Sequence, residues 1–105
     1  MATTQEFIEF VCGQAAGTGC VRYRKMFGEY MVYVNDKPVL LVCDNTVYVK
    51  KLACIGELMA SAERGVPYEG AKEHYILDVE DRDLCRSVIA ILEPNTPLPK
   101  KRNKK

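Results

Sequence analysis

Four apolar runs packed between residues 21 and 51 constrain this chain more than any other feature. Val21 to Phe27, Tyr30 to Val34, Pro38 to Cys43 and Thr46 to Lys51 are separated only by Gly28-Glu29, Asn35-Asp36-Lys37 and Asp44-Asn45. The runs are rich in β-branched and aromatic residues, as a pleated, half-buried surface requires. Breaks this short leave no room for a crossover, so consecutive strands must pair antiparallel. Asn and Asp suit the two later breaks, because both tolerate left-handed backbone and bond their own chain. Pro38 belongs at a strand start, where its missing N–H is not needed in the ladder.

Helical patterns flank this meander. Thr3 followed by Glu6 fits a capping box. Phe7, Phe10, Val11, Gln14 and Ala15 then recur at helical spacing, Ile8 and Cys12 widen the stripe, and Gly17 and Gly19 supply the exit. Ile55 to Arg64 reads as a short helix ending at Gly65, and residues 65–73 as a loop. His74 to Val79 alternates as a fifth strand. A last helix opens at Glu80 or Asp81, runs through Leu84, Val88, Ile91 and Leu92, and stops at Glu93-Pro94; its acidic first turn suits the positive end of the helix dipole. The predicted order is α-β-β-β-β-α-β-α. It is an α+β domain, a two-layer sandwich with the helices grouped on one face of an antiparallel sheet. A chain of 105 residues supports one such core. Residues 1–94 are expected to form it, and the proline- and lysine-rich residues 95–105 to be disordered.

The third run poses a question. Val39-Leu40-Leu41-Val42 is apolar on both strand faces, as in a strand buried on both sides. Three helices can cover one face of the sheet. The other is expected to carry some of Met31, Tyr33, Leu40, Val42 and Tyr48, covered by a second copy of the chain, by a partner, or by loop 65–73.

Several function classes lose support at this level. No apolar run nears the roughly 18 residues of a membrane span, and Met1 to Glu6 lacks the basic start and apolar stretch of a secretory signal. The expectation is a cytoplasmic protein with no membrane partner. The five cysteines, at 12, 20, 43, 54 and 85, form no CxxC pair, so they read as reduced, small apolar residues and not as metal ligands; Cys20, in an expected loop, is the one to consider for redox sensing. The single histidine, His74, has no nucleophile-and-acid set around it in sequence, and no phosphate-binding glycine motif occurs. Asp78, Glu80, Asp81 and Asp83 precede a helix and read as caps. Neither an enzyme nor a cofactor-binding protein is expected.

The charge is segregated. Residues 100–105 carry five positive charges, whereas residues 1–99 hold ten basic and fourteen acidic residues. Within that body, residues 52–99 carry nine acids against four bases. Arg22, Arg24 and Lys25, interleaved with Tyr23 and Phe27, are the candidate nucleic-acid contacts in the body. Lys100, Lys101 and Arg102 are the candidates in the tail, where binding would be weak and salt-sensitive.

Four stretches together resemble the N-terminal domain of the TfoX/Sxy family of bacterial competence regulators. Arg24-Lys25-Met26-Phe27-Gly28-Glu29-Tyr30-Met31-Val32-Tyr33 is similar to its "MFGGYG-Y" hairpin, and Leu41 to Lys50 to its "L-x-D-x-x-L-Y-L-K" hairpin. Pro67 to Tyr75 looks like the "PYPGAKPHY" loop of some members, and Glu80-Asp81-Arg82-Asp83-Leu84 like the "EDRE-L" helix start. The resemblance spans residues 5–93. It implies a two-layer α/β sandwich similar to type III secretion chaperones. It also implies a non-enzymatic coactivator of DNA-uptake genes that works beside a separate DNA-binding activator. Two departures stand out: Glu29 replaces a common second glycine, and the family's second, helical domain does not follow. The resulting expectation is a regulatory or adaptor module acting by protein–protein binding, as a homodimer or on the transcription machinery, with a nucleic-acid accessory role as the alternative.

Overall fold

The computed structural model describes residues 3–26, 29–67 and 69–96. Helix α1 (Gln5–Ala15) leads into strands β1 (Val21–Met26), β2 (Glu29–Val34), β3 (Lys37–Cys43) and β4 (Thr46–Lys50). A 3-10 turn (Ala53–Ile55), β5 (Arg64–Gly65), β6 (His74–Leu77) and α2 (Arg82–Asn95) follow. The strands form one antiparallel sheet in the order β1-β2-β3-β4-β6-β5. The expected order of elements therefore holds, with one short added strand at the sheet edge.

The two hairpin turns form as their residues dictate. Asn35 and Asp36 have φ of 54° and 67°, and Asp44 and Asn45 have φ of 53° and 55°. Two central residues with positive φ make a type I′ turn, whose twist matches that of the flanking strands. One turn holds the start of β1 and the other the start of α1. Asn35 Oδ1 accepts from the Cys20 N–H at 2.9 Å, and Asn45 Oδ1 accepts from the Thr4 N–H at 3.0 Å. Gly19, at φ +152°, passes so close that a Cβ there would lie 2.8 Å from the Asn35 amide, so only glycine fits.

Burial alternates along the sheet. Val32, Val34, Leu40, Val42, Val47, Val49, Tyr75 and Leu77 point to one face and are buried. Against them lie Ile8, Val11 and Ala15 of α1, Cys85, Val88, Ile89 and Leu92 of α2, and Ile55 and Met59 between them. Among the described residues, no helix lies over the opposite face. A bulge sits in the β2–β3 ladder: Val32 pairs with Leu40 but Tyr33 pairs with Pro38, leaving Val39 without a partner. The extra residue lets both Val39 and Leu40 lie inside.

Four local expectations are corrected. Thr4, not Thr3, caps α1: its hydroxyl accepts from the Phe7 N–H at 3.2 Å. Thr3 is instead buried, donating to the Glu29 carboxylate at 2.8 Å and accepting from the Asn45 N–H at 3.2 Å. Phe10 is 43% exposed, because the stripe that meets the core is Ile8, Val11 and Ala15, turned away from it. Residues 55–64 make no full helix. Their bonds are mostly of the i to i−3 kind, which turns the chain tightly enough for Ile55 and Met59 to reach the core before β5 rejoins the sheet. Finally, α2 continues through Pro94 to Asn95. The carbonyls that would fray there accept from side chains, Ile91 O from the Asn95 amide at 2.8 Å and Leu92 O from the Thr96 hydroxyl at 2.7 Å. The other α2 end is as expected, with the Asp81 carboxylate accepting from the Leu84 N–H at 3.1 Å.

The alternation has a direct thermodynamic consequence. Leu40→Ala leaves a cavity in a fully buried site and should cost about 2–5 kcal/mol. Leu41→Ala, one residue on but on the uncovered face, should cost about 1 kcal/mol or less. Urea unfolding curves of the two variants check this, and equal costs would contradict the register.

Candidate binding face of the sheet

Cross-strand register defines the uncovered face residue by residue. Arg22 lies opposite Tyr33 and Arg24 opposite Met31 on β1–β2, Met31 opposite Leu41 on β2–β3, and Leu41 opposite Tyr48 on β3–β4. Tyr48 is opposite Ile76 and Lys50 opposite His74 on β4–β6. Residues directly opposite share a face, so these side chains form one continuous surface. Met31, Tyr33, Leu41, Tyr48 and Ile76 are half-buried there, each shielded only by its neighbours. Gly65 completes it at the edge; a Cβ there would come 3.1 Å from Ile76 Cδ1 and 3.4 Å from Tyr48 Cε1.

This places the sequence candidates clearly. Met31, Tyr33 and Tyr48 lie on the uncovered face as expected. Leu40 and Val42 do not: both are 0% exposed and pack under the helices. The register pairs them with Val32 and Tyr30, residues of the inner face, and leaves Leu41 as the outward apolar residue of β3. Sequence reasoning missed Leu41, although strict alternation from Val42 would have found it. Arg22 and Arg24 share the face with the aromatics. Lys25 is opposite Tyr30 and so belongs to the helix side. Lys100, Lys101 and Arg102 lie outside the described residues. The segment offered as a cover, 65–73, begins instead as an edge strand, with Arg64 and Gly65 paired to Tyr75 and His74.

The face carries the cations Arg22, Arg24 and Lys50, with Glu29 at its β2 end accepting from the Thr3 hydroxyl and the Asp44 N–H. Arg22 binds Asp36 at 3.0 Å, an exposed pair worth little by itself, and its guanidinium sits 5.3 Å from the Tyr33 ring centroid. Arg24 and Lys50 make no ion pair among the described residues. The Tyr48 ring meets His74 edge-on, with centroids 6.4 Å apart. Burial, then the nearby Cys43, Asp44 and Glu29, push the Tyr48 phenol above its usual range, so it remains a protonated donor. Met31, Leu41, Tyr48 and His74 surround a dimple of about 150 Å³, large enough for one apolar side chain. At the far edge, Lys51 binds Glu73 at 2.6 Å and, chiefly through that hydrogen bond, holds its carboxyl below the usual range.

Among the described residues, no three His, Cys, Asp or Glu side chains come together to hold a metal ion. The acids before α2 are used by the backbone: Asp78 accepts from the Glu80 N–H and Asp81 caps the helix. No helix there is long and apolar enough to cross a membrane.

No protein-family model matches the chain. It is 36% identical over 107 aligned positions to the uncharacterized 12.7 kDa protein in the trpE 5′ region of Spirochaeta aurantia, across all of this chain and 93% of that protein. The two proteins belong to one family. The family relationship thus extends over the whole sheet, both helices and the uncovered face.

All five cysteines are free, and their surroundings divide them. Cys20 and Cys54 are exposed, whereas burial pushes the thiols of Cys43 and Cys85 up to about 11. Ellman's reagent at pH 8 should therefore modify Cys20 and Cys54 in the folded protein, and Cys43 and Cys85 only after urea unfolds it. Unfolded thiols ionise near 9.0, while these two keep their protons to about 11. The unfolded state then binds fewer protons, so stability should fall as pH rises through that interval. A urea midpoint independent of pH between 9 and 11 would contradict it.

Proposed function

We propose that this domain is a non-enzymatic regulatory or adaptor module, as the TfoX/Sxy resemblance implies. In this reading it binds an acidic protein segment with an apolar anchor on the uncovered face of its sheet. The observation that carries the reading is the coincidence on one face of Met31, Tyr33, Leu41 and Tyr48 with Arg22, Arg24 and Lys50. Half-buried apolar side chains supply area to desolvate, and the flanking cations select the sign of the partner. The dimple between Met31 and Tyr48 takes one anchoring side chain. β1 ends the sheet, so an extended segment can also pair along that edge.

Charge argues for a different protein as the occupant and against a second copy. Two copies stacked through this face would each bring Arg22, Arg24 and Lys50 to the contact, a repulsive arrangement. A nucleic-acid accessory role is the second reading. It is favoured by the same arginines on one face with Tyr33 and Tyr48, since basic groups and ring faces together hold single strands. Against it, the Arg22 guanidinium already lies over the Tyr33 ring.

Selection from a random peptide display library on the immobilised full chain tests the reading. Enrichment of peptides combining Asp or Glu with an aromatic or aliphatic residue is expected. Their affinity should drop ~tenfold or more, about 1.4 kcal/mol, in Arg22→Glu/Arg24→Glu and in Tyr48→Ser, and hold in Lys25→Glu. Peptides that bind all these variants equally would sink it. Salt-dependent retention of single-stranded DNA or RNA, lost in the double arginine variant, would shift the assignment to the second reading. Light scattering should find a monomer.

A further inference from the structure

The helix side of the molecule holds a second surface with the opposite chemistry. Between α1, the turns after Ile55 and the end of β6 lies a groove of about 970 Å³. Phe7 and Phe10 form one wall, Leu58, Met59 and Ala62 the other, with Val79 and Leu84 at the base. Phe10 is 43% exposed and Leu58 39%, two of the few large apolar side chains the described surface leaves so open. This wall exists because α1 carries two apolar stripes. Ile8, Val11 and Ala15 enter the core, while Phe7 and Phe10, three residues apart, flank it and face the groove. The Gln14 side chain, next along that second stripe, donates to Val79 O at 2.8 Å and holds α1 against the opposite bank.

The rim has one sign. Glu6, Glu63, Asp78 and Glu80 line the groove, and among the described residues no Lys or Arg does. Four carboxylates around exposed Phe and Leu side chains repel an acidic occupant and leave an uncharged one without partners for the rim. We infer that this groove is a docking site for a lysine- or arginine-rich protein segment anchored by apolar side chains. It is independent of the sheet face and complementary to it in charge. The anchors fill the space between Phe10 and Leu58, and the cations reach Glu6, Glu63 and Glu80. Helix-in-groove recognition works in this way, by apolar anchors at helical spacing with charges outside them. The domain then holds two partners of opposite charge on two faces, which is what bridging them requires.

The probe is a fluorescein-labelled synthetic helix of leucine and lysine patterned at i, i+3, i+4 and i+7, titrated against the full chain by fluorescence polarisation. Saturable binding is expected, weakening with salt. Affinity should fall ~tenfold or more in Phe10→Ser/Leu58→Ser, and ~threefold or more in Glu63→Gln/Glu80→Gln. Each of these residues is exposed, so the variants should stay folded, and an unchanged circular dichroism spectrum and urea midpoint verify it. A control peptide with serine for leucine should not bind. Arg22→Glu/Arg24→Glu should leave the affinity unchanged, which separates this site from the sheet face. Equal affinity of wild type and the groove variants would overturn the inference, as would an equally tight glutamate-for-lysine peptide. A ~tenfold gain on ending the chain at Thr96 would overturn it differently, by making the chain's own basic terminus the occupant.

Discussion

The structure depends on the register of β3 in the sheet. Leu40 pairs with Val32 and Val42 pairs with Tyr30, and that choice sends the inner-face residues of the central strands under the helices. A slip by one residue would exchange the two faces, put Leu41 in the core and expose Leu40 and Val42. Two type I′ turns and one bulge prevent it. The turns at Asn35-Asp36 and Asp44-Asn45 fix both ends of β3, and the bulge at Val39 absorbs the residue that strict alternation would misplace. Asn45 in the second turn grips the start of α1, and Asn35 in the first grips the chain just before β1, so strand register and helix position are set together.

Helices on one side only divide the surface in two. On the sheet side, strand periodicity brings alternate residues of five strands onto one face, most of them aromatic, aliphatic or basic. On the helix side, the 3.6-residue period leaves a second stripe of α1 beside the core, and Glu6, Glu63, Asp78 and Glu80 line the groove it borders. The net charge of the body averages over these two regions of opposite sign. Its sign says little about partners, since each face presents its own charge to whatever approaches it.

Much of this was legible in the chain. Short Asn- and Asp-containing breaks imply I′ hairpins, alternation implies which strand residues share a face, and Asp81 announces the start of α2. What misled was local ambiguity. Thr3 and Thr4 are both credible caps for α1, and only contacts with Glu29 and Asn45, distant in sequence, decide which of them is buried. Phe7 and Phe10 fit the same broad apolar stripe as Ile8 and Val11, and nothing local says where the core ends. The 55–64 segment has helical spacing, but its chain must return to the sheet edge within a few residues of Met59.

By itself the sequence determined an antiparallel meander flanked by helices, because turn chemistry and side-chain period act over a few residues and need no partner. It also showed that helices could cover only one sheet face, and left open whether loop 65–73, a second copy or a partner covers the other. The tertiary structure alone decided which apolar residues occupy that face, placing Leu41 there and withdrawing Leu40 and Val42. It alone brought Arg22 and Arg24 beside Tyr33 and Met31, set Tyr48 on the same face, and brought Phe10 to the same groove as Leu58. Such neighbours are far apart along the chain, and their juxtaposition follows from register and packing, which single residues do not encode.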